Sequence, residues 1–213
     1  MSKFSAVVFD LDGTLADTFQ LIVACWNEAL KEPLGRTFAP EDVIARFGEP
    51  EADMLAHEVS GPALSRAVDA FHECYDARHD EIQLFDGVPE MLAALKAAGV
   101  RMAVMTGKGR RSADITAGKL GWNDIFEHVI TGDDVAGQKP APDGPLLVAK
   151  LMEVEPARCV FVGDTPADIT AGRDAGMQTI AAAWHPVYLD QLRGMNADYW
   201  ADTPADVVRI VLG

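Results

Sequence analysis

Positive charge is scarce in this chain: 18 Lys and Arg stand against 33 Asp and Glu in 213 residues, a formal net charge of −15. That balance excludes the broad basic face a phosphate backbone needs, so no nucleic-acid partner is expected. It gives no basis for binding an anionic membrane surface either. Long apolar runs are missing too, since no stretch approaches the roughly 20 residues that cross a bilayer. The opening MSKFSAVVFD lacks the charged segment and long apolar run of a signal peptide. Cysteine is sparse. Cys25, Cys74 and Cys159 have no metal-ligand spacing, and such an odd, scattered set predicts thiols packed as small apolar residues in a reducing compartment. These absences predict a soluble, cytoplasmic protein, monomer or homodimer, without internal repeats or low-complexity tracts.

A hydrophobic content of 49% supplies a packed core. Short apolar runs recur at Ala6–Phe9, Val100–Met105, His128–Ile130, Cys159–Val162, Thr179–Ala183 and Tyr199–Trp200. Helical patterns lie between most of them. PEMLAALKAAG stops at Gly99, where a helix can end, and Pro145–Met152 and Ala167–Gly176 read likewise. The last helix has Thr203 as N-cap, Pro204 at its first position and Asp206 at its third. Strands apolar throughout, alternating with helices, predict an α/β fold with a parallel sheet covered on both faces.

One interval breaks this rhythm. No strand is evident from Thr14 to Gly87, far longer than the dozen or so residues a crossover needs. Phe19, Ile22, Val23, Trp26 and Leu30 form one helical apolar face; Leu64, Ala67, Val68, Phe71 and Tyr75 form another. Residues 16–84 therefore read as a helical domain inserted into a core made of 1–15 and 85–213.

Chemistry concentrates where strands end. VVFDLDGTLADT puts Asp10 and Asp12 after the first strand, and residues two apart on an extended chain point the same way. Two carboxylates in a partly dry site repel, which a proton on one or a cation between them resolves. In VFVGDTPADITAG another buried strand delivers Asp164, and Asp168 opens the next helix. Oxygen ligands without His or Cys suit a hard cation such as Mg²⁺. Asp168 and Asp17 also suit helix capping, with Asp17 or Thr18 starting the helix that carries Phe19. Ligands collect at the carboxyl edge of a parallel sheet, so these groups are expected to share one region.

Two segments can oppose that negative charge. VMTGKGRRS places Thr106, Gly107, Lys108 and Gly109 just before a helix, where exposed backbone N–H groups can cradle a phosphate. GQKPAPDGPLL holds Lys139 beside prolines that fix its backbone. In the helical insertion, RFGEPEADM turns at Gly48 and Pro50, and Arg46 and Glu49 are candidates to reach a substrate. His57, His72 and His79 are expected in surface or satisfied roles.

With these segments in order, the whole chain resembles the haloacid dehalogenase superfamily of phosphatases. DLDGT (Asp10–Thr14) is similar to its first motif, Thr106 to the second, Lys139 to the third and GDTPAD (Gly163–Asp168) to the fourth, while the helical insertion resembles its cap. The resemblance implies a Rossmann-like core and an aspartyl-phosphate mechanism. In it Asp10 is the nucleophile and Asp12 the acid and base. Asp10, the Asp12 backbone carbonyl and Asp164 hold Mg²⁺, with Asp168 supporting them. Thr106, Gly107 and Lys139 hold the phosphoryl group. Gly107 stands where relatives often carry Asn or Ser. The RFGEPEADM loop (Arg46–Met54) and AAAWHP (Ala181–Pro186) are most similar to the phosphoglycolate phosphatase and pyrophosphatase subgroup, which implies a small phosphorylated metabolite such as phosphoglycolate as substrate. Alternatives are a pyrophosphatase, a sugar-phosphate mutase with the same catalytic residues, or a non-catalytic ligand sensor.

Overall fold

A computed structural model describes residues 3–213; Met1 and Ser2, at the head of the opening segment, and the Asn123 side chain lie outside the description. The strands are β1 (Ala6–Phe9), β2 (Ala16–Asp17), β3 (Gln83–Leu84), β4 (Arg101–Met105), β5 (His128–Ile130), β6 (Cys159–Gly163), β7 (Gln178–Ala182) and β8 (Tyr199–Ala201). Six of them form one parallel sheet in the order β5-β4-β1-β6-β7-β8. The apolar runs therefore mark every strand of this sheet to within a residue or so.

Alternation along the strands divides the core. Val7, Phe9, Met102, Val104, Val160 and Val162 face one hydrophobic cluster, and Ala6, Val8, Ala103, Met105, Cys159 and Phe161 face another. Both faces are buried, so the two central strands β1 and β6, AVVF and CVFVG, carry no polar side chain. At about 2 kcal/mol for each large side chain removed from water, this central layer is the main source of rigidity under the site.

Helices α1 (Phe19–Leu34), α2 (Pro40–Ile44), α3 (Glu51–Ala56) and α4 (Gly61–Ala77) intervene between β2 and β3. The remaining helices are α5 (Val88–Ala97), α6 (Arg110–Lys119), α7 (Asp143–Leu151), α8 (Pro166–Asp174), α9 (Leu189–Leu192) and α10 (Pro204–Leu212). The predicted apolar faces meet: Ile22, Trp26 and Leu30 of α1 share a buried cluster with Ala67, Phe71 and Tyr75 of α4. Thr203 and Asp206 close a capping box at α10 as its sequence predicts.

Four expectations need correction. The interval from Thr14 to Gly87 does contain strands, because β2 and β3 pair antiparallel through Ala16–Leu84 and Asp17–Gln83 and tie the two ends of the insertion together. Asp17 therefore lies in β2 and caps nothing. Thr18 stands at the N-cap position of α1, but its hydroxyl serves Asp12 instead of the helix. His79 is buried with both ring nitrogens lacking a hydrogen-bond partner among the described residues, its ring packed edge-on against Tyr75.

The fourth concerns cysteine. Cys25 of α1 and Cys74 of α4 face each other across the helix pair with Cα atoms 5.4 Å apart and are joined as a disulfide; Cys159 stays a buried thiol. Helix packing brings together residues whose spacing in the chain carried no pairing signal. Thiol titration of the denatured, unreduced protein is expected to count one thiol, rising to three after reduction; three before reduction would show the pair open.

No helix among the described residues is long and apolar enough to cross a membrane.

Candidate active site

Sheet register brings the distant motifs to one edge. Phe9 pairs with Val104 on one side and Val162 on the other, so Asp10, Thr106 and Asp164 leave the sheet at nearly the same level. Strand order reverses between β1 and β6, the switch point where a parallel sheet opens a crevice. The Asp10 N–H still donates to the Val162 carbonyl at 2.9 Å, so the backbone beneath its carboxyl is part of the sheet. Gly13 then turns with φ +86°, and a Cβ there would lie 2.3 Å from Asp164 Oδ2. Glycine is required twice over, for the turn and for the close approach of Asp164.

Asp10, Asp164 and Asp168 are all buried and present oxygens within 4.8 Å of one another. Lys139 Nζ donates to Asp10 Oδ1 at 2.7 Å and to Asp168 Oδ1 at 2.6 Å. Burial, only partly offset by Lys139, pushes the Asp10 carboxyl up to about 7. Asp164 is also pushed well up, by burial and then by the charges of Asp10 and Asp168. Burial opposes the Lys139 charge, but Asp10 and Asp168 outweigh it and hold the ammonium protonated beyond its ordinary range. Asp168 also closes a capping box with Thr165 at α8, so its capping and site roles coexist on different oxygens.

One oxygen has no partner. Asp164 Oδ1 accepts from the Thr14 hydroxyl at 2.9 Å, while its buried Oδ2 accepts from no group among the described residues. A buried, unsatisfied carboxylate oxygen beside two more carboxylates is costly unless a cation answers it. The donor set is entirely oxygen, so the residues fit Mg²⁺. Asp10, Asp164 and Asp168 are the side chains able to hold it.

Asp12 does not join that trio through its carboxylate. Its Oδ1 accepts from Thr18 Oγ1 at 2.5 Å and its Oδ2 from Lys108 Nζ at 3.2 Å. The turn at Leu11 and Gly13 has separated the duties of the two aspartates, which leaves only the Asp12 backbone carbonyl for the metal role. Lys108 is buried and also meets Glu51 Oε1 at 3.1 Å, while Glu51 Oε2 accepts from the Gly109 N–H at 2.9 Å. Burial opposes both charges of this pair, yet the partners prevail: Glu51 is held below the usual carboxylate range and Lys108 above its own. This bridge fastens α3 to the loop after β4. Sequence reasoning missed Glu51, whose place beside Pro50 at a helix start resembles an ordinary first-turn acid.

A cavity of about 300 Å³ lies over these groups. Thr106, Gly107, Lys108 and Lys139 reach it from the sheet edge, and Gly48 and Glu49 from the insertion. A Cβ at Gly107 would meet the Gly48 carbonyl at 2.8 Å, which gives a steric reason for glycine where an Asn or Ser is often found. Glu49 sits at the rim against His57. Arg46 is outside the cavity: Glu58 and the Asp42 carbonyl hold its guanidinium on the insertion itself, so it does not reach inward as expected. Sequence reading also missed Tyr188 and Gln191, which enter the wall from α9 and the residue before it.

Fold and site together define an α/β protein with a helical insertion and a cluster of carboxylates at the carboxyl edge of its parallel sheet. The family model described as haloacid dehalogenase-like hydrolase matches residues 7–182. Pyrophosphatase PpaX of Bacillus velezensis is 29% identical over 209 residues, covering 98% of this chain and 96% of its own. CbbY of Rhodobacter sphaeroides, solved in complex with phosphate, superposes with a TM-score of 0.82 at 26% identity over 96% of both chains. A predicted phosphoglycolate phosphatase from Haemophilus somnus shares the fold, with a TM-score of 0.86 at 23% identity over 99% of both. The chain belongs to the haloacid dehalogenase-like hydrolase family.

Proposed function

We propose that the chain is a Mg²⁺-dependent phosphatase that hydrolyses a small phosphate monoester through an aspartyl-phosphate on Asp10. The observation that carries this reading is the meeting of Asp10, Asp164 and Asp168, with Lys139 Nζ bonded to Asp10 and Asp168 and the Asp164 Oδ2 left unpartnered among the described residues. Residues 16–84 serve as a cap domain and residues 1–15 with 85–213 as the catalytic core.

Thr106, the Gly107 amide and Lys139 bind the phosphoryl oxygens and stabilise the charge of the transferring group. An Asp10 carboxylate oxygen attacks phosphorus as the bond from phosphorus to the leaving oxygen breaks, and Asp12 gives that oxygen its proton. The Asp12 carboxylate then takes a proton from water. The water oxygen bonds to phosphorus, the bond to Asp10 breaks, and inorganic phosphate leaves. Thr18 and Lys108 hold Asp12 in place for both transfers. Asp10, Asp164 and the Asp12 carbonyl, supported by Asp168, would hold Mg²⁺, which supplies charge neutralisation to the carboxylates and phosphoryl oxygens. The cap excludes water from the first step.

Phosphoglycolate is the ester that the sequence resemblance favours. Pyrophosphate is a second reading, favoured by the name of the Bacillus relative.

Phosphate release from phenyl phosphate tests the proposal. Chelation of divalent ions is expected to cut the rate at least ~100-fold and added Mg²⁺ to restore it. A rate indifferent to chelator would count against the reading.

A further inference from the structure

Beyond its carboxylate end, the cavity has an aromatic wall. The Phe19 ring packs edge-to-face against Phe47 at 5.1 Å and against Tyr188 at 6.2 Å between centroids. Ile22 and Met54 extend that wall. Tyr188 spends its hydroxyl on the Ile44 carbonyl at 3.3 Å, so what it offers the cavity is its ring.

Positive charge on the wall is already spent. Among the described lining residues the only cations are Lys108 and Lys139. Lys108 answers Asp12 and Glu51; Lys139 answers Asp10 and Asp168. No third cation faces the cap side, where the charged residues are Glu49 and Glu51. Glu51 is neutralised by Lys108 and the Gly109 N–H, and Glu49 is engaged by His57 at 2.9 Å.

We infer that the substrate's leaving group is an uncharged, apolar alcohol, aryl or alkyl, and not a carboxylate, a second phosphate or an ammonium. The inference rests on the phosphatase reading of the same site and narrows its substrate. A carboxylate or second phosphate would lose its hydration against three rings with no cation to receive it, and would face acidic side chains. An ammonium would find Glu51 already paired with Lys108, and Glu49 half-exposed at the rim and bonded to His57. A flat apolar group gains edge and face contacts with the rings and leaves no charge unsatisfied. This reading sets phosphoglycolate and pyrophosphate below neutral esters, whatever the relatives are named.

The test is kcat/KM of the full-length, Mg²⁺-supplied protein for benzyl phosphate, phosphoglycolate, phosphocholine and pyrophosphate. The first three are esters of primary alcohols, so ranking among them reports the wall more than the leaving oxygen. Benzyl phosphate is expected to lead every charged substrate by at least ~10-fold. A charged substrate ahead of it overturns the inference while leaving the phosphatase reading intact. Phosphate release from none of them, nor from phenyl phosphate, overturns both. Glu49 is 47% exposed, so Glu49→Arg should fold, and it places a cation at the rim. It is expected to shift the ratio of phosphoglycolate to benzyl phosphate at least ~5-fold toward the anion. An unmoved ratio contradicts control of ranking by wall charge.

Discussion

Asp10→Asn is expected to lower kcat by at least ~10⁴-fold while the protein stays folded and still binds Mg²⁺ and phosphate. An amide has almost the shape of the carboxyl, and the backbone of Asp10 is fixed by its bond to Val162, so the architecture of the crevice survives. What is lost is the attacking oxygen. Removing one of three crowded carboxylates also relieves repulsion at a buried site, so the metal-free variant should be no less stable than wild type. Calorimetry checks retained binding, a thermal melt checks the fold, and phosphate release checks turnover. Activity near the wild-type level would contradict covalent catalysis by Asp10.

Lys139→Ala acts on fold and chemistry together. In the native protein this ammonium lies 2.7 Å from Asp10 and 2.6 Å from Asp168, and among the described residues no other lysine or arginine is bonded to either. Its removal leaves buried carboxylates without their cation, a change that costs about 3–5 kcal/mol when a buried pair is broken. The phosphoryl group also loses a charge-stabilising donor, expected to lower kcat by roughly 10²–10³-fold. Saturating Mg²⁺ should return part of the lost stability, because an ion bound by the native state alone shifts the unfolding equilibrium. Urea unfolding of variant and wild type, with Mg²⁺ and with chelator, reads all three effects. A variant that unfolds at the wild-type urea concentration in chelator would show that Lys139 is not the cation of this cluster.

The carboxylates and Lys139 were legible in the sequence because the sheet amplifies their signal. A strand buried on both faces must be apolar throughout, so AVVF and CVFV stand out, and the first polar residue after each is at the carboxyl edge by construction. Parallel register then brings together motifs 154 residues apart in the chain, Asp10 and Asp164. Two-residue strands have no period to read, so β2 and β3 were hidden. Arg46 was misplaced because a loop charge has no intrinsic direction, and Glu58, one helix further on, captures it. Glu51 and the Cys25–Cys74 pair depend on helix packing inside the insertion, which spacing alone does not encode. The aromatic wall was hidden for a related reason. Phe19 reads as one more residue of a core stripe, and only the arrival of Phe47 and Tyr188 from separate loops turns it toward a cavity.

In the proposed reaction the phosphoryl group passes through Asp10. Single-turnover quenching with a ³²P-labelled ester, followed by peptide mapping, tests it most directly. Covalent catalysis by Asp10 gives a transient, hydroxylamine-labile label on the peptide containing Asp10, formed before free phosphate appears and absent from Asp10→Asn. Steady release of phosphate with no labelled protein at any time, or a label mapped to another residue, would contradict it.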